Sequence, residues 1–163
     1  MKREKFLWPL TQGHHRGLVA ARNIKNRIEQ MKTENRQADL EALKAETEGF
    51  WKGELQPHFE AEEEMLQIFA EKAGAKDKDL LRTIQEHRTM TQLLKMGFKE
   101  DLLRFAEILT AHIRFEEEVL FGRIEKILTP EEISRASGFL VKKAVPNSNC
   151  IPRPEFNPPD PGR

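Results

Sequence analysis

The sequence contains two copies of a short pattern in which a glutamate follows a histidine by four positions. The first pair is His58 and Glu62, and the second is His112 and Glu116. On a helix, residues four apart point the same way, so each pair can present an imidazole nitrogen and a carboxylate to one point. Both groups are ligands for divalent transition-metal ions. Each pair is therefore half of a candidate metal site.

Two further histidines and both pairs lie on apolar stripes of the sequence. His14 and His87 share a three-to-four spacing with apolar residues, whereas His15 leads a polar line. The stripe around the second pair continues to Val119 and Leu120. The residues predicted to point into one hydrophobic centre are His14, His58, Glu62, His87, His112 and Glu116. The residues expected to face solvent are Glu60, Glu63, Glu64, Glu117 and Glu118. Because a buried carboxylate is costly without compensation, we predict that the centre holds one or two divalent cations.

The segments that carry these residues have helical character. Leu, Glu, Lys, Ala and Arg dominate, and the few β-branched residues never alternate with polar ones, so an all-α domain is predicted. Four principal helices are expected over residues 10–32, 36–73, 77–96 and 99–128. Thr129, Pro130 and Glu132 predict the start of a short fifth helix that ends near Lys143. Short connections predict an antiparallel, up-down-up-down four-helix bundle.

The predicted heights along the helices agree with one site. His14 lies 21 residues before a connection near residue 35, and His58 lies 23 residues after it. At a rise of about 1.5 Å per residue, the two are level within one turn. His87 and His112 match more loosely across the connection near residue 97. Pro57 removes a backbone donor beside His58, so a bend is expected there.

Length and composition bound the class of protein. The 163 residues are enough for one core, and residues 1–144 are predicted to form the bundle with its additional C-terminal helix. Residues 145–163 are rich in proline and predict an extended tail. Basic and acidic residues both number 27, and this zero net charge argues against nucleic acid and against a polybasic membrane contact.

Two absences predict the compartment. Cys150 has no second cysteine to pair with, which favours a reducing environment. No stretch of eighteen uncharged apolar residues occurs, and no apolar segment follows the basic residues at the start. A soluble, cytoplasmic protein without membrane contact is therefore expected.

The order of these motifs resembles the hemerythrin-like cation-binding family, often called the HHE domain. The similarity covers residues 8–128 and is carried by the segments LTQGHHRGLVAAR, LQPHFEAEEEML and AHIRFEEEVLF. The resemblance implies a carboxylate-bridged, non-haem di-iron centre inside a four-helix bundle. By position, the terminal ligands would be His14, His58, His87 and His112, and the bridging ligands would be Glu62 and Glu116.

The sequence departs from the oxygen carriers of that family at two positions. Thr91 stands where they have a second histidine. The oxygen carriers have an aspartate five residues after the histidine of the last helix, whereas here Glu116 lies four residues after His112. Glu117 occupies the fifth position, and either Glu117 or His15 could add a ligand. A ferritin-like site is excluded, because no glutamate lies three residues before His58, His87 or His112. Manganese and zinc remain alternatives to iron.

Three functions are consistent with the sequence. The first is a di-iron protein that binds O2 or a related small ligand, or senses iron or redox state. The second is an enzyme that activates oxygen, peroxide or nitric oxide for oxidation or detoxification. The third is an interaction domain with a vestigial site. A binding or sensing protein is favoured, because no residues define a pocket for an organic substrate.

Overall fold

The computed structural model describes residues 5–31 and 37–143, with side chains as far as residue 138. Every regular element in these ranges is helical, as predicted, and they contain no strand. A 3₁₀ turn, Lys5–Leu7, leads into helices α1 Trp8–Met31, α2 Gln37–Phe50, α3 Gln56–Ala73, α4 Lys78–Met96, α5 Lys99–Phe115, α6 Phe121–Ile127 and α7 Pro130–Lys143. The π-helical turns Trp51–Leu55 and Glu116–Leu120 join α2 to α3 and α5 to α6. The predicted tail and Cys150 lie outside the described residues.

The helix ends follow from local chemistry. Asp77 caps α4 by accepting hydrogen bonds from the backbone of Asp79 and Leu80. Gly97 ends α4 in the left-handed region at φ 65°, where a residue without a Cβ is favoured. At α7, the Thr129 backbone donates to the Glu132 side chain and the Glu132 backbone donates to the Thr129 hydroxyl. The predicted start of the fifth helix is thus confirmed.

The first π-helical turn lies just before Pro57, where the sequence predicted a bend. Pro57 has no backbone N–H, and its ring would meet the carbonyl of Gly53 in a regular α-helix. The turn Trp51–Leu55 precedes it, and the Gln56 backbone donates to the Trp51 carbonyl five residues back. The wider π-helical turn thus ends just before the proline, and His58 follows in the first turn of α3.

The second π-helical turn corrects one residue of the predicted stripe. Val119 was expected to face inward, and this was wrong, because 42% of its surface is exposed. The Phe121 backbone donates to the Glu116 carbonyl, so the turn contains one residue more than an α-helical turn. The extra residue rotates the face that follows. The buried positions after Glu116 in this turn and in α6 are Leu120, Phe121 and Ile124.

The helices enclose two separate apolar clusters. α1 and α4 both pack along α5, and α3 packs against α4 and α7. Cluster one includes Leu10, Met65, Leu80 and Leu120. Cluster two includes Ala21, Leu55, Met90 and Leu109. The early residues of α1 and α4 belong to cluster one and their later residues to cluster two. The order is reversed in α2–α3 and in α5–α6, where cluster two comes before cluster one. The histidines and glutamates of the predicted site lie at helix positions next to residues of one cluster or the other. None of the described helices is long and apolar enough to cross a lipid bilayer.

Candidate metal centre

The structure brings all six predicted site residues together in the interior. Two groups of side chains place one potential ligand atom each within 4.8 Å of one another. The first group is His14, His58 and Glu62, and the second is Glu62, His87, His112 and Glu116. Every member is buried. Because Glu62 belongs to both groups, they form one continuous centre.

The Glu62 carboxylate lies between three imidazoles. Its Oε1 is 3.0 Å from His58 Nε2 and 3.2 Å from His14 Nε2. Its Oε2 is 3.4 Å from His87 Nε2. The two oxygens of one side chain therefore face the two groups, which is the arrangement a bridging ligand needs.

Glu116 also places its two oxygens beside two different imidazoles. Its Oε2 is 3.1 Å from His14 Nε2, and its Oε1 is 3.4 Å from His112 Nε2. The Nε2 atoms of His87 and His112 approach within 3.1 Å. The Nε2 atoms of all four histidines thus point inward toward the two carboxylates.

Three oxygens of this centre accept no hydrogen bond from the described residues: Oε2 of Glu62 and both carboxylate oxygens of Glu116. A buried acceptor without a partner is destabilising, and native proteins seldom retain one without a reason. Cations between the carboxylates and the Nε2 atoms would satisfy these oxygens. The donor set of imidazole nitrogens and carboxylate oxygens suits iron, manganese or zinc. The centre could therefore hold metal ions.

Three of the four histidines also contact a carboxylate on their outer side. His14 Nδ1 lies 2.7 Å from Glu117 Oε1, and His87 Nδ1 lies 2.8 Å from Glu63 Oε1. His112 Nδ1 lies 2.8 Å from Glu86 Oε2. The expectation that Glu63 and Glu117 only face solvent was therefore wrong. Sequence spacing along one helix could not reveal these contacts, because each joins two different helices.

The fourth histidine has a different outer neighbour. A Cβ added to Gly13 would lie 2.5 Å from His58 Nδ1 and 2.7 Å from its Cε1. Only glycine leaves room for this imidazole. A glycine inside a helix costs about 1 kcal/mol relative to alanine, so a glycine beside a predicted ligand was a signal that sequence reasoning missed.

Aromatic rings stack on the faces of two of the imidazoles. The Phe59 ring stacks on His87 with centroids 3.8 Å apart and planes 6° apart. The Phe121 ring stacks on His14 at 5.3 Å and 16°. Both phenylalanines are buried, so packing limits the rotation of the two histidines.

The carboxylates raise the proton affinity of the buried imidazoles. Burial lowers the pKa of His87, but the Glu62 carboxylate 3.4 Å away and the hydrogen bond with Glu63 outweigh it and raise the pKa to about 9. Burial likewise opposes charge on His14, and hydrogen bonds with glutamates hold its pKa well above the usual range. Burial raises the pKa of Glu62, but the charge of His58 and the imidazole hydrogen bonds bring it well below the usual range. A cation that binds at the Nε2 atoms would displace protons.

His15 and Thr91 lie outside the cluster. His15 is exposed. The Thr91 hydroxyl donates to the His87 carbonyl at 2.9 Å and lines a cleft of about 410 Å³. His87, Phe59 and Trp51 line the same cleft. Thr91 therefore borders open space beside His87.

Comparison with known proteins returned no match among protein-family models, curated proteins or solved structures.

Proposed function

We propose that this chain is a hemerythrin-like, non-haem di-iron protein that binds O2 or a related small ligand, or senses iron or redox state. One observation carries the proposal: two buried carboxylates with three unsatisfied oxygens lie among four inward-facing imidazole nitrogens. So many polar groups would destabilise a core that held no cation. Bound iron would supply positions for an exogenous ligand and redox chemistry.

The order of the apolar clusters supports a four-helix bundle. Consecutive long helices meet cluster one and cluster two in alternating order. Such alternation is expected when successive helices run antiparallel, in the up-down-up-down topology. The four helices would be α1, the continuous helix through α2 and α3, α4, and the continuous helix through α5 and α6. The polar layer would then cross the bundle between two apolar ends.

The distances support the ligand roles that the resemblance implies. Glu62 and Glu116 would bridge the ions, because each directs its two oxygens toward different histidines. His14 and His58 would serve one ion, and His87 and His112 the other. Neither group has more than four residues, so ligand number alone also fits zinc. The bridging carboxylates and the family resemblance favour iron, with manganese as the nearest alternative.

Iron loading under anaerobic conditions tests this proposal. Purified protein is given Fe(II), freed of excess metal, analysed for iron, and then exposed to air while its visible spectrum is recorded. We expect two irons per chain and a charge-transfer band that appears with air. Glu116→Gln should lose iron and the band, whereas Glu118→Gln on the exposed side of the same turn should keep both. Wild-type protein that retains no iron, or that gains no band, would contradict the proposal.

The cleft beside His87 favours a second candidate, an enzyme that activates oxygen, peroxide or nitric oxide. It gives a small molecule a path to the Phe59 and His87 side of the centre. Consumption of hydrogen peroxide or nitric oxide by iron-loaded protein tests this candidate. Turnover that is lost in Glu62→Gln would favour the enzyme, and its absence in wild type would favour simple binding or sensing.

A further inference from the structure

The outer carboxylates follow a regular pattern across the helices. Glu63 directly follows the inner ligand Glu62 on α3, and it contacts His87 on α4. Glu86 directly precedes His87 on α4, and it contacts His112 on α5. Each of these glutamates is thus adjacent in sequence to an inner residue of its own helix and supports a histidine of the next helix.

The pattern continues between the last helix and the first. Glu117 directly follows Glu116 and contacts His14 on α1. At the remaining contact, the residue beside His14 that faces His58 is Gly13, which has no side chain. Three helix contacts therefore use a carboxylate, and at the fourth His58 lies beside a glycine.

We propose that Glu63, Glu86 and Glu117 are positioning residues that orient three metal-binding imidazoles. Each carboxylate accepts a hydrogen bond from Nδ1–H, which leaves the Nε2 lone pair directed at the centre. Two of them are held in place in turn: the Thr11 hydroxyl donates to Glu117 at 3.0 Å, and Arg82 Nε donates to Glu86 at 2.9 Å. The inference rests on the proposed function, because it assigns these residues a role toward the bound metal.

The exposure of the three carboxylates ranks their effects. The Glu86 side chain is 21% exposed and Glu117 is 28% exposed, whereas Glu63 is 44% exposed. Water competes more strongly for an exposed acceptor, so the contact of Glu63 should contribute least. Outer partners of this kind typically change metal affinity by about 10- to 100-fold. We expect losses near the upper value for Glu86 and Glu117, and near the lower value for Glu63.

Paired substitutions separate positioning from bulk and charge. Glu117→Met and Glu86→Met keep a side chain of similar length without the acceptor, whereas Glu117→Gln and Glu86→Gln keep an acceptor oxygen. Glu118→Met, on the exposed side of the same turn as Glu117, is the matched control. Fe(II) affinity is measured anaerobically by competition with a chelator. NMR of Zn(II)-loaded, ¹⁵N-histidine-labelled protein reports the protonated Nδ1 and the metal-bound Nε2 of each ring.

The methionine variants should lose Fe(II) affinity by the stated factors and lose the slowly exchanging Nδ1–H signal of the affected ring. The glutamine variants should lie closer to wild type in both measurements, which also shows that the folded protein tolerates a change there. Methionine variants that bind Fe(II) as tightly as the Glu118→Met control would overturn the inference, as would glutamine variants as weak as methionine. If wild type binds neither Fe(II) nor Zn(II), the proposed function itself fails.

Discussion

Replacing Gly13 by alanine should remove His58 from the metal centre. The added Cβ would lie 2.5 Å from His58 Nδ1, whereas ordinary contact begins near 3.4 Å. The imidazole would therefore have to move by about 1 Å. A metal–nitrogen bond is about 2.0–2.1 Å long and tolerates deviations of about 0.2 Å. The displaced ring could not hold its ion, so the group of His14, His58 and Glu62 would lose a ligand.

The assay compares Gly13→Ala with Gly122→Ala, since an added Cβ at Gly122 would have no neighbour within 4 Å among the described residues. Iron per chain after anaerobic loading should fall from two toward one in Gly13→Ala and remain two in Gly122→Ala. Circular dichroism should show both variants folded, since alanine favours a helix over glycine by about 1 kcal/mol. Two tightly bound irons in folded Gly13→Ala would refute the steric argument.

Three further predictions follow from the site and its surroundings. Removing metal with a chelator should lower the melting temperature by roughly 10 °C, because a ligand at a thousandfold excess over Kd adds about 4 kcal/mol to the free energy of unfolding of a domain of this size. Calorimetry with and without chelator measures this shift. An unchanged melting point would show that the folded core contains no metal. Arg123→Met should raise the pKa of Asp77, because hydrogen bonds from Arg123 are the largest of the interactions that lower it from 3.8 to about 2. The contribution of this ion pair to the free energy of unfolding is fully present above pH 4 and is lost as the pH falls through 2. An NMR titration should find the midpoint of Asp77 protonation nearer 3.8 in the variant, and an unmoved midpoint would contradict the assignment. His15→Gln should leave iron content and the air-dependent band unchanged, because His15 is exposed, and a loss of iron would add His15 to the ligands.

Helix positions and inward stripes were readable because they depend on local chemistry. Apolar spacing of three or four residues places a side chain on one face whatever the helix packs against, so His14 and Glu62 were correctly predicted to be buried. Val119 was predicted wrongly because a π-helical turn changes the period from which faces are counted. The amino-acid sequence of Glu116–Leu120 contains no signal that predicts the extra residue of this turn.

Contacts between helices were out of reach of the same reasoning. Glu63 and Glu117 were interpreted as solvent-facing because they lie off the apolar stripes of their own helices. Their partners, His87 and His14, lie on other helices, and a spacing rule has no information about the distance between two helices. The role of Gly13 depends in the same way on how closely α1 approaches His58.

The sequence by itself determined the helices, their ends and the six polar residues that share the interior, because hydrogen-bonding preferences, capping and periodicity act within one segment. Only the tertiary structure decided which oxygen of Glu62 faces which imidazole, which glutamates support the histidines, and where glycine is required. Those features are distances between atoms far apart in the chain, and only the packing of helices at a particular height and rotation sets them.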